Sequence, residues 1–279
     1  MMLACDVRFV IADEGINIRC GALMPTIDLN SDLGEGYGPY QCGDDTSMLS
    51  LVTSANVACG FHAGDPAMMS ASITTARDAG VAVGAHPSLA DRENFGRREL
   101  PVTPEEVFAL VAYQVGAFQG LTRSLGVRPN HVKPHGALYN MAVRAAPLAG
   151  AIARAVFAID PSLTLFAPND SALAQASGRI GLRVTNEVFA DRNYLSDGSL
   201  VPRARPDALL HDPEEAAARV IRMLREGKVR SVDGVDVDVQ AETICLHGDK
   251  PGAVDFARAL KSRLEKESVI VRAPKRRDE

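Results

Sequence analysis

Short apolar runs alternate with longer amphipathic stretches from Thr26 almost to the end of the 279-residue chain. The runs predict strands at Thr26–Asn30, Ser54–Ala58, Ala82–Ala85, His131–Lys133, Leu163–Phe166, Arg183–Val188 and Thr243–Leu246, with a last one at Val269–Val271. The stretches between them open on helix-start signals. Asp65-Pro66 pairs an N-cap residue with proline at the first helical position. Thr103-Pro104-Glu105-Glu106 is a capping box, and its helix places Val107, Leu110, Val111, Val115, Phe118 and Leu121 on one stripe. Asp212-Pro213-Glu214-Glu215 repeats the same start. Strands alternating with helices predict a parallel sheet. At this length an α/β fold of irregular, TIM-like (β/α) barrel type is favoured over a doubly wound sheet. No linker rich in Gly, Pro or Ser divides residues 24–272, which read as a single barrel domain. Residues 1–23 read as a loosely ordered extension with a short strand at Val7–Ile11, Met24 being a natural start. The polar tail, 273–279, is expected to fray.

Either architecture sets its site at the C-terminal ends of the strands, and polar residues gather there. The densest stretch is Val132-Lys133-Pro134-His135-Gly136-Ala137-Leu138-Tyr139-Asn140. Pro134 fits neither a central ladder nor a helix interior, so a strand ends there and a helix begins near Gly136. Alternation points Lys133 and His135 the same way, roughly 6–7 Å apart, a cation beside a titratable base. His131 and His135 on an extended strand are about 13 Å apart, too far to share an ion, so His131 reads as structural. Asp28, Asn30 and Asp32 alternate with Leu29, Ser31 and Leu33. This turns a polar row toward an interior that barrels normally fill with apolar side chains. The row is not a calcium loop, because its glycine comes late and Pro39 stands where the closing glutamate belongs. The run Gly34/Gly36/Gly38 is off-pattern for a dinucleotide fingerprint.

The other strand ends are similar. The stretch from Asn56 to Pro66 runs into a capped helix whose start offers N–H groups for an anion beneath His62. His86 precedes a long loop bearing Asp91, Arg92, Arg97 and Arg98. Glu187 faces the interior, with Asp191 and Arg192 on the rim. His247 and Asp249 read as a base and its orienter, or as metal ligands. Four of the six histidines (His62, His86, His135 and His247) thus stand at strand ends beside Gly or Pro, a convergence that core packing does not explain.

Composition narrows the class. Hydrophobic residues make up 46% and charged residues 23%, as in an ordinary globular protein. The net charge is −5 and the basic run Lys275-Arg276-Arg277 is short, which argues against a nucleic-acid partner. No apolar stretch is long enough to span a membrane. The five cysteines are scattered without a CxxC pair, and no secretory signal is visible, which suits a reducing cytoplasm. G-x-S-x-G, H-E-x-x-H and Walker A sequences are absent.

Together, DLNSDLGEGYG at 28–38, NVACGFHAGDP at 56–66, GAHPSLADRENFGRR at 84–98, VKPHGALYN at 132–140, FADRNY at 189–194 and ICLHGD at 244–249 carry a resemblance to the LamB/YcsF family, that of the A-subunit of bacterial ATP-dependent 5-oxoprolinase. The family's first motif often reads DLNCDLGEG; here Ser31 replaces the cysteine. The resemblance implies an irregular TIM-like barrel of the glycoside hydrolase/deacetylase type. It also implies cleavage of 5-oxo-L-proline to L-glutamate, with ATP as co-substrate and 5-oxoprolinase subunits B and C as partners. On that reading Lys133 neutralises a developing oxyanion or phosphate, His135 is the general base, and Asp32 joins them as a catalytic residue. Asn30, Asn56, His62, His86, Arg192, His247 and Asp249 would bind substrate, part of this wall alternatively holding a divalent ion. Two rival readings stand beside it. One is a metal-dependent amide hydrolase or deacetylase that needs no ATP; the other is a non-catalytic, ligand-binding component of a larger assembly.

Overall fold

The computed structural model describes residues 25–248 and 252–276; the expected strand at Val7–Ile11, Met24 and Asp249 lie outside the described residues. Every other expected strand is present. In chain order these are β1 (Thr26–Leu33), β2 (Ser54–Ala58), β3 (Ala82–His86), β4 (His131–Val132), β5 (Thr164–Ala167) and β6 (Arg183–Phe189), followed later by β9 (Thr243–Leu246) and β10 (Ile270–Val271). Between β6 and β9 the sequence pattern missed β7 (Lys228–Arg230) and β8 (Asp236–Asp238), which form a separate antiparallel pair.

Strands β1 to β6 and β9 are all parallel neighbours, and the sheet closes because β1 pairs on one edge with β2 (Asn30↔Ser54) and on the other with β9 (Asp28↔Thr243). The result is a seven-stranded TIM-like barrel rather than a doubly wound sheet, with β10 added to the start of β1.

The helices are α1 (Asp45–Leu49), α2 (Pro66–Asp78), α3 (Pro104–Ser124), α4 (Gly136–Arg144), α5 (Ala146–Ile159), α6 (Ala172–Arg179), α7 (Pro213–Glu226) and α8 (Ala253–Lys266). Their starts follow the local signals. Asp65 Oδ1 accepts from Met68 N at 2.8 Å, and Thr103 and Glu106 form a reciprocal capping box. Asp212 Oδ1 accepts from Glu214 N at 2.9 Å. On α3, Val107, Val111, Val115 and Phe118 are buried, whereas Leu110 and Leu121 are only partly so.

Alternation along the strands sorts side chains between two environments. Ile27, Leu29, Leu33, Val57, Val83, Val132, Leu165 and Ile244 belong to the apolar core with the helices. The intervening Asp28, Asn30, Asn56, His131, Lys133, Thr164, Thr185, Glu187 and Thr243 are also buried, so the barrel interior is polar. A buried polar interior survives only if its groups satisfy one another. Asp28 accepts from Thr53, Ser54 and Thr243 hydroxyls at 2.5–2.8 Å. Burial nonetheless pushes its carboxyl up to about 6.

The tail differs from expectation over its described part. Pro274 and Lys275 accept from Asn130 Nδ2 and Arg183 Nη1 at 3.0 and 2.7 Å, and Arg276 is buried. These contacts close one side of a cavity of about 460 Å³ at the N-terminal end of the barrel, away from the strand ends that carry the histidines. No single helix among the described residues is long and apolar enough to cross a membrane.

Candidate active site

Lys133 stands at the centre of the C-terminal half of the barrel. The strand ends at Val132, Pro134 blocks its ladder, and α4 begins at Gly136, as the local sequence predicts. The Lys133 ammonium lies 3.0 Å from Asp32 Oδ1, Asn30 Oδ1 and Cys245 Sγ and 3.1 Å from Glu187 Oε1. Burial would lower its pKa, but Asp32, Cys245 and Glu187 outweigh burial and hold it well above the ordinary lysine range. Glu187 also accepts from Asn30 Nδ2 at 3.1 Å and from Tyr139 Oη at 2.7 Å. Tyr139 stays protonated, since burial and the Glu187 charge both push its pKa well up.

Asp32 lies above this network, its side chain 11% exposed against 5% for Lys133, so it is the more accessible of the two to a ligand at the mouth. Asn56 Nδ2 donates to Asp32 Oδ1 at 2.8 Å and to Asn30 Oδ1 at 2.7 Å. Asn30 and Asn56 are fully buried, so in this structure they brace Asp32 and Lys133 from below. Burial alone would raise the Asp32 pKa; His86 and Lys133 outweigh it and hold the carboxyl well below its usual range. His131 donates from Nε2 to Asn56 Oδ1 at 2.8 Å and stacks on Phe166 at 4.2 Å, a structural place consistent with its exclusion from the site.

Three of the expected histidines meet beside Asp32. His86 Nε2 is 3.3 Å from Asp32 Oδ1 and 3.0 Å from His135 Nδ1, and His62 stacks on His135 at 3.8 Å. The start of α2 does not offer the anion site anticipated there, because Asp65 caps it and His62 turns instead to Ser88 and Glu35. Burial and the neighbouring rings hold His62 and His135 well below the ordinary imidazole range, so both are neutral. Glu35 was missed by the sequence reading. It follows Gly34, whose φ of +70° turns the chain off β1, and its Oε1 lies 3.2 Å from His62 Nε2.

The fourth histidine forms a separate corner. His247 Nδ1 donates to Asp191 at 3.0 Å, and Arg203 Nη2 lies 2.8 Å from His247 Nε2. Arg203 and Cys245 were not anticipated here. Arg192 is buried and donates to Val201 O at 2.6 Å, which ties the following loop back onto the barrel. Arg98 is likewise committed, to Asp91 at 3.1 Å. Burial would lower the His247 pKa, but Asp191 and Cys245 raise it to about 10; burial would raise Asp191, but His247 lowers it to about 2. The sign follows from these shifts. The His247 contribution to stability is complete below the ordinary value of 6.5 and fades as pH rises through about 10. The Asp191 contribution is complete above 3.8 and fades as pH falls through about 2. The melting-temperature difference between the parent chain and Asp191→Asn is therefore expected to be largest near pH 5 and to shrink toward pH 10. A His247 resonance that titrates near 6.5 in the parent chain would show that the pair is not formed.

Residues 27–278 match the LamB/YcsF family. The chain is 51% identical over 251 residues to the 5-oxoprolinase A-subunit of Bordetella pertussis, an alignment covering 90% of this chain and 100% of that protein. It is 50% identical over 250 residues to the 5-oxoprolinase A-subunit of Bacillus subtilis, covering 90% and 97% respectively. The crystal structure of a lactam utilization protein from Thermus thermophilus superposes with a TM-score of 0.85 at 46% identity, covering 89% of this chain and 100% of that one. The match runs from β1 through β10 and so takes in every strand that carries the site, and the chain belongs to the LamB/YcsF family.

Proposed function

We propose that this chain is the A-subunit of an ATP-dependent 5-oxoprolinase, acting with subunits B and C to open the γ-lactam of 5-oxo-L-proline to L-glutamate as ATP becomes ADP and phosphate. The observation that carries the reading is Asp32, an ionised carboxylate at the barrel mouth seated on the buried Lys133 network. The relatives named as 5-oxoprolinase A-subunits, half identical over nine-tenths of the chain, support it.

A lactam nitrogen is a poor leaving group. Transfer of the γ-phosphoryl group of ATP to the lactam oxygen breaks the bond to ADP and activates the ring carbon. Water adds there, the C–N bond breaks as the nitrogen takes a proton, and a second water releases phosphate from the acyl phosphate. Asp32 accepts the proton of the attacking water. His135 does not serve as that base, because Nε2 donates to Phe95 O and Nδ1 faces His86. Lys133 acts through Asp32, since its ammonium is already surrounded by four partners. The exposed Arg203, beside His247, gives the rim positive charge suited to the substrate carboxylate or a phosphate.

The test is glutamate release from 5-oxo-L-proline by this chain mixed with subunits B and C. Glutamate and phosphate are expected in equal amounts, only in the full mixture with ATP. Glutamate formed without ATP, or without this chain, would overturn the reading. The cluster of His62, His86 and His135 favours one second reading, a metal-dependent amide hydrolase. It predicts ATP-independent turnover abolished by chelators.

A further inference from the structure

Three buried histidines at or just after the ends of consecutive strands are each pinned by one ring nitrogen. His62 Nδ1 faces Ser88 Oγ at 2.9 Å, and that hydroxyl donates onward to Leu89 O at 3.0 Å, so Nδ1 carries the proton. His86 Nδ1 faces Lys133 O at 2.6 Å, and His135 Nε2 faces Phe95 O at 2.8 Å. A carbonyl oxygen only accepts, so these nitrogens are also the protonated ones. The tautomers are therefore fixed from outside. The remaining atoms, His62 Nε2, His86 Nε2 and His135 Nδ1, present lone pairs.

All three lone pairs point into one space, shared with a carboxylate oxygen of Glu35, and the four atoms lie within 4.8 Å of one another. His86 Nε2 and His135 Nδ1 are 3.0 Å apart, His62 Nε2 and Glu35 Oε1 3.2 Å, and His135 Nδ1 and Glu35 Oε1 3.8 Å. With all three rings neutral, four acceptors share one buried space and a cation between them relieves their repulsion; the competing occupant is a proton on His86 Nε2, which also lies 3.3 Å from Asp32 Oδ1. A tetrahedral ion with bonds of about 2.1 Å sets its ligand atoms roughly 3.4 Å apart, which falls within the observed range. Pinning the outer nitrogen on a carbonyl or hydroxyl is how ligating histidines are usually held.

We propose that Glu35, His62, His86 and His135 form a binding site for a divalent first-row transition ion such as Zn²⁺, with Ser88, Lys133 O and Phe95 O fixing the ligand tautomers. Three imidazoles and a carboxylate suit that class better than Mg²⁺ or Ca²⁺, which prefer an all-oxygen shell. Each of the first four strands supplies one ligand just at or after its C-terminal end, so the site is a product of their adjacency in the barrel. The stacked rings of His62 and His135 have to fan apart for both nitrogens to reach one ion, a side-chain rotation that leaves the strands in place. The inference goes beyond the lactamase reading and does not depend on ATP use.

The test is metal binding, read apart from activity. The chelator-stripped full chain is titrated with Zn²⁺ by calorimetry and with Co²⁺ by visible absorption. One equivalent of each is expected, with a Co²⁺ spectrum free of thiolate charge transfer. Glu35→Gln and His62→Ala should each weaken Zn²⁺ by at least about 100-fold, and Ser88→Ala, which keeps all four ligands, by roughly 10–100-fold. Thermal melts without metal confirm that each variant is folded. Failure of the folded parent chain to bind Zn²⁺ would overturn the site and leave a proton shared by His86, His135 and Asp32 as the occupant. Unchanged affinity in folded Glu35→Gln and His62→Ala would overturn it too. So would a thiolate band, which would place the ion at Asp32, Cys245 and His247 instead.

Discussion

Lys133→Met is expected to abolish glutamate release in the assembled mixture, by about 1000-fold or more, while also lowering stability. The two effects have one origin. Lys133 is 4% exposed and its ammonium sits between Asp32 and Glu187. Methionine keeps the volume of the chain but removes the charge, and leaves two carboxylates facing each other in a space with little solvent. Stripping one partner from a buried charge network costs roughly 3–5 kcal/mol. In a chain of this size that corresponds to a melting temperature lower by about 10 °C. Asp32 then loses one of the neighbours that hold its carboxyl down, and the contact that fixes it toward the barrel mouth, so it is no longer held where it takes a proton from water. A double variant separates the two effects. Lys133→Met with Glu187→Gln removes one of the stranded charges and should recover much of the stability, yet none of the turnover. If turnover returned along with the melting temperature, Lys133 would be a structural counter-ion and no more.

Gly84→Ala is expected to be among the most destabilising single-methyl additions in the chain, by about 3 kcal/mol or somewhat more, at the upper end of overpacking costs. A Cβ at residue 84 would fall inside the ring of His131 on the neighbouring strand. That ring cannot give way, because it is stacked between strands on Phe166 and tied to Asn56. The strand itself must shift, and β3 carries His86 at its end. Loss of stability should therefore come with weakened activity. Gly116→Ala is the control. Gly116 lies within α3 and a Cβ there meets nothing within 4 Å, so alanine should stabilise by up to about 1 kcal/mol through helix propensity. Chemical denaturation of both variants reads the contrast. Equal small effects would mean that the barrel interior tolerates a strand displacement that its hydrogen bonds argue against.

Much of this architecture is legible in local pattern. The strand positions and the starts of α2, α3 and α7 follow from apolar runs, proline and capping side chains, all of which act over a few residues. The polar row Asp28, Asn30 and Asp32 could be assigned to one face because side chains alternate along a strand. The short pair β7 and β8 escaped, although Asp233-Gly234 between them is a hairpin turn signal, because three-residue strands carry too little periodicity to stand out. Glu35 escaped for another reason. It lies past the end of β1, where alternation no longer says which way a side chain points, and Gly34 decides the direction.

What the chain determined by itself is which residues end each strand, since alternation, proline and capping are local. What only the tertiary structure decided is which of those ends meet. Asp32, Lys133, Glu187 and Cys245 gather around one ammonium only because β1 pairs with β9 and closes the barrel. His62, His86 and His135 separate from His247 for the same reason: the first three end neighbouring strands, whereas His247 follows β9 and turns to Asp191. Four histidines at strand ends looked like one site in sequence. Barrel closure and register, which are non-local, divided them into two groups that meet at Asp32.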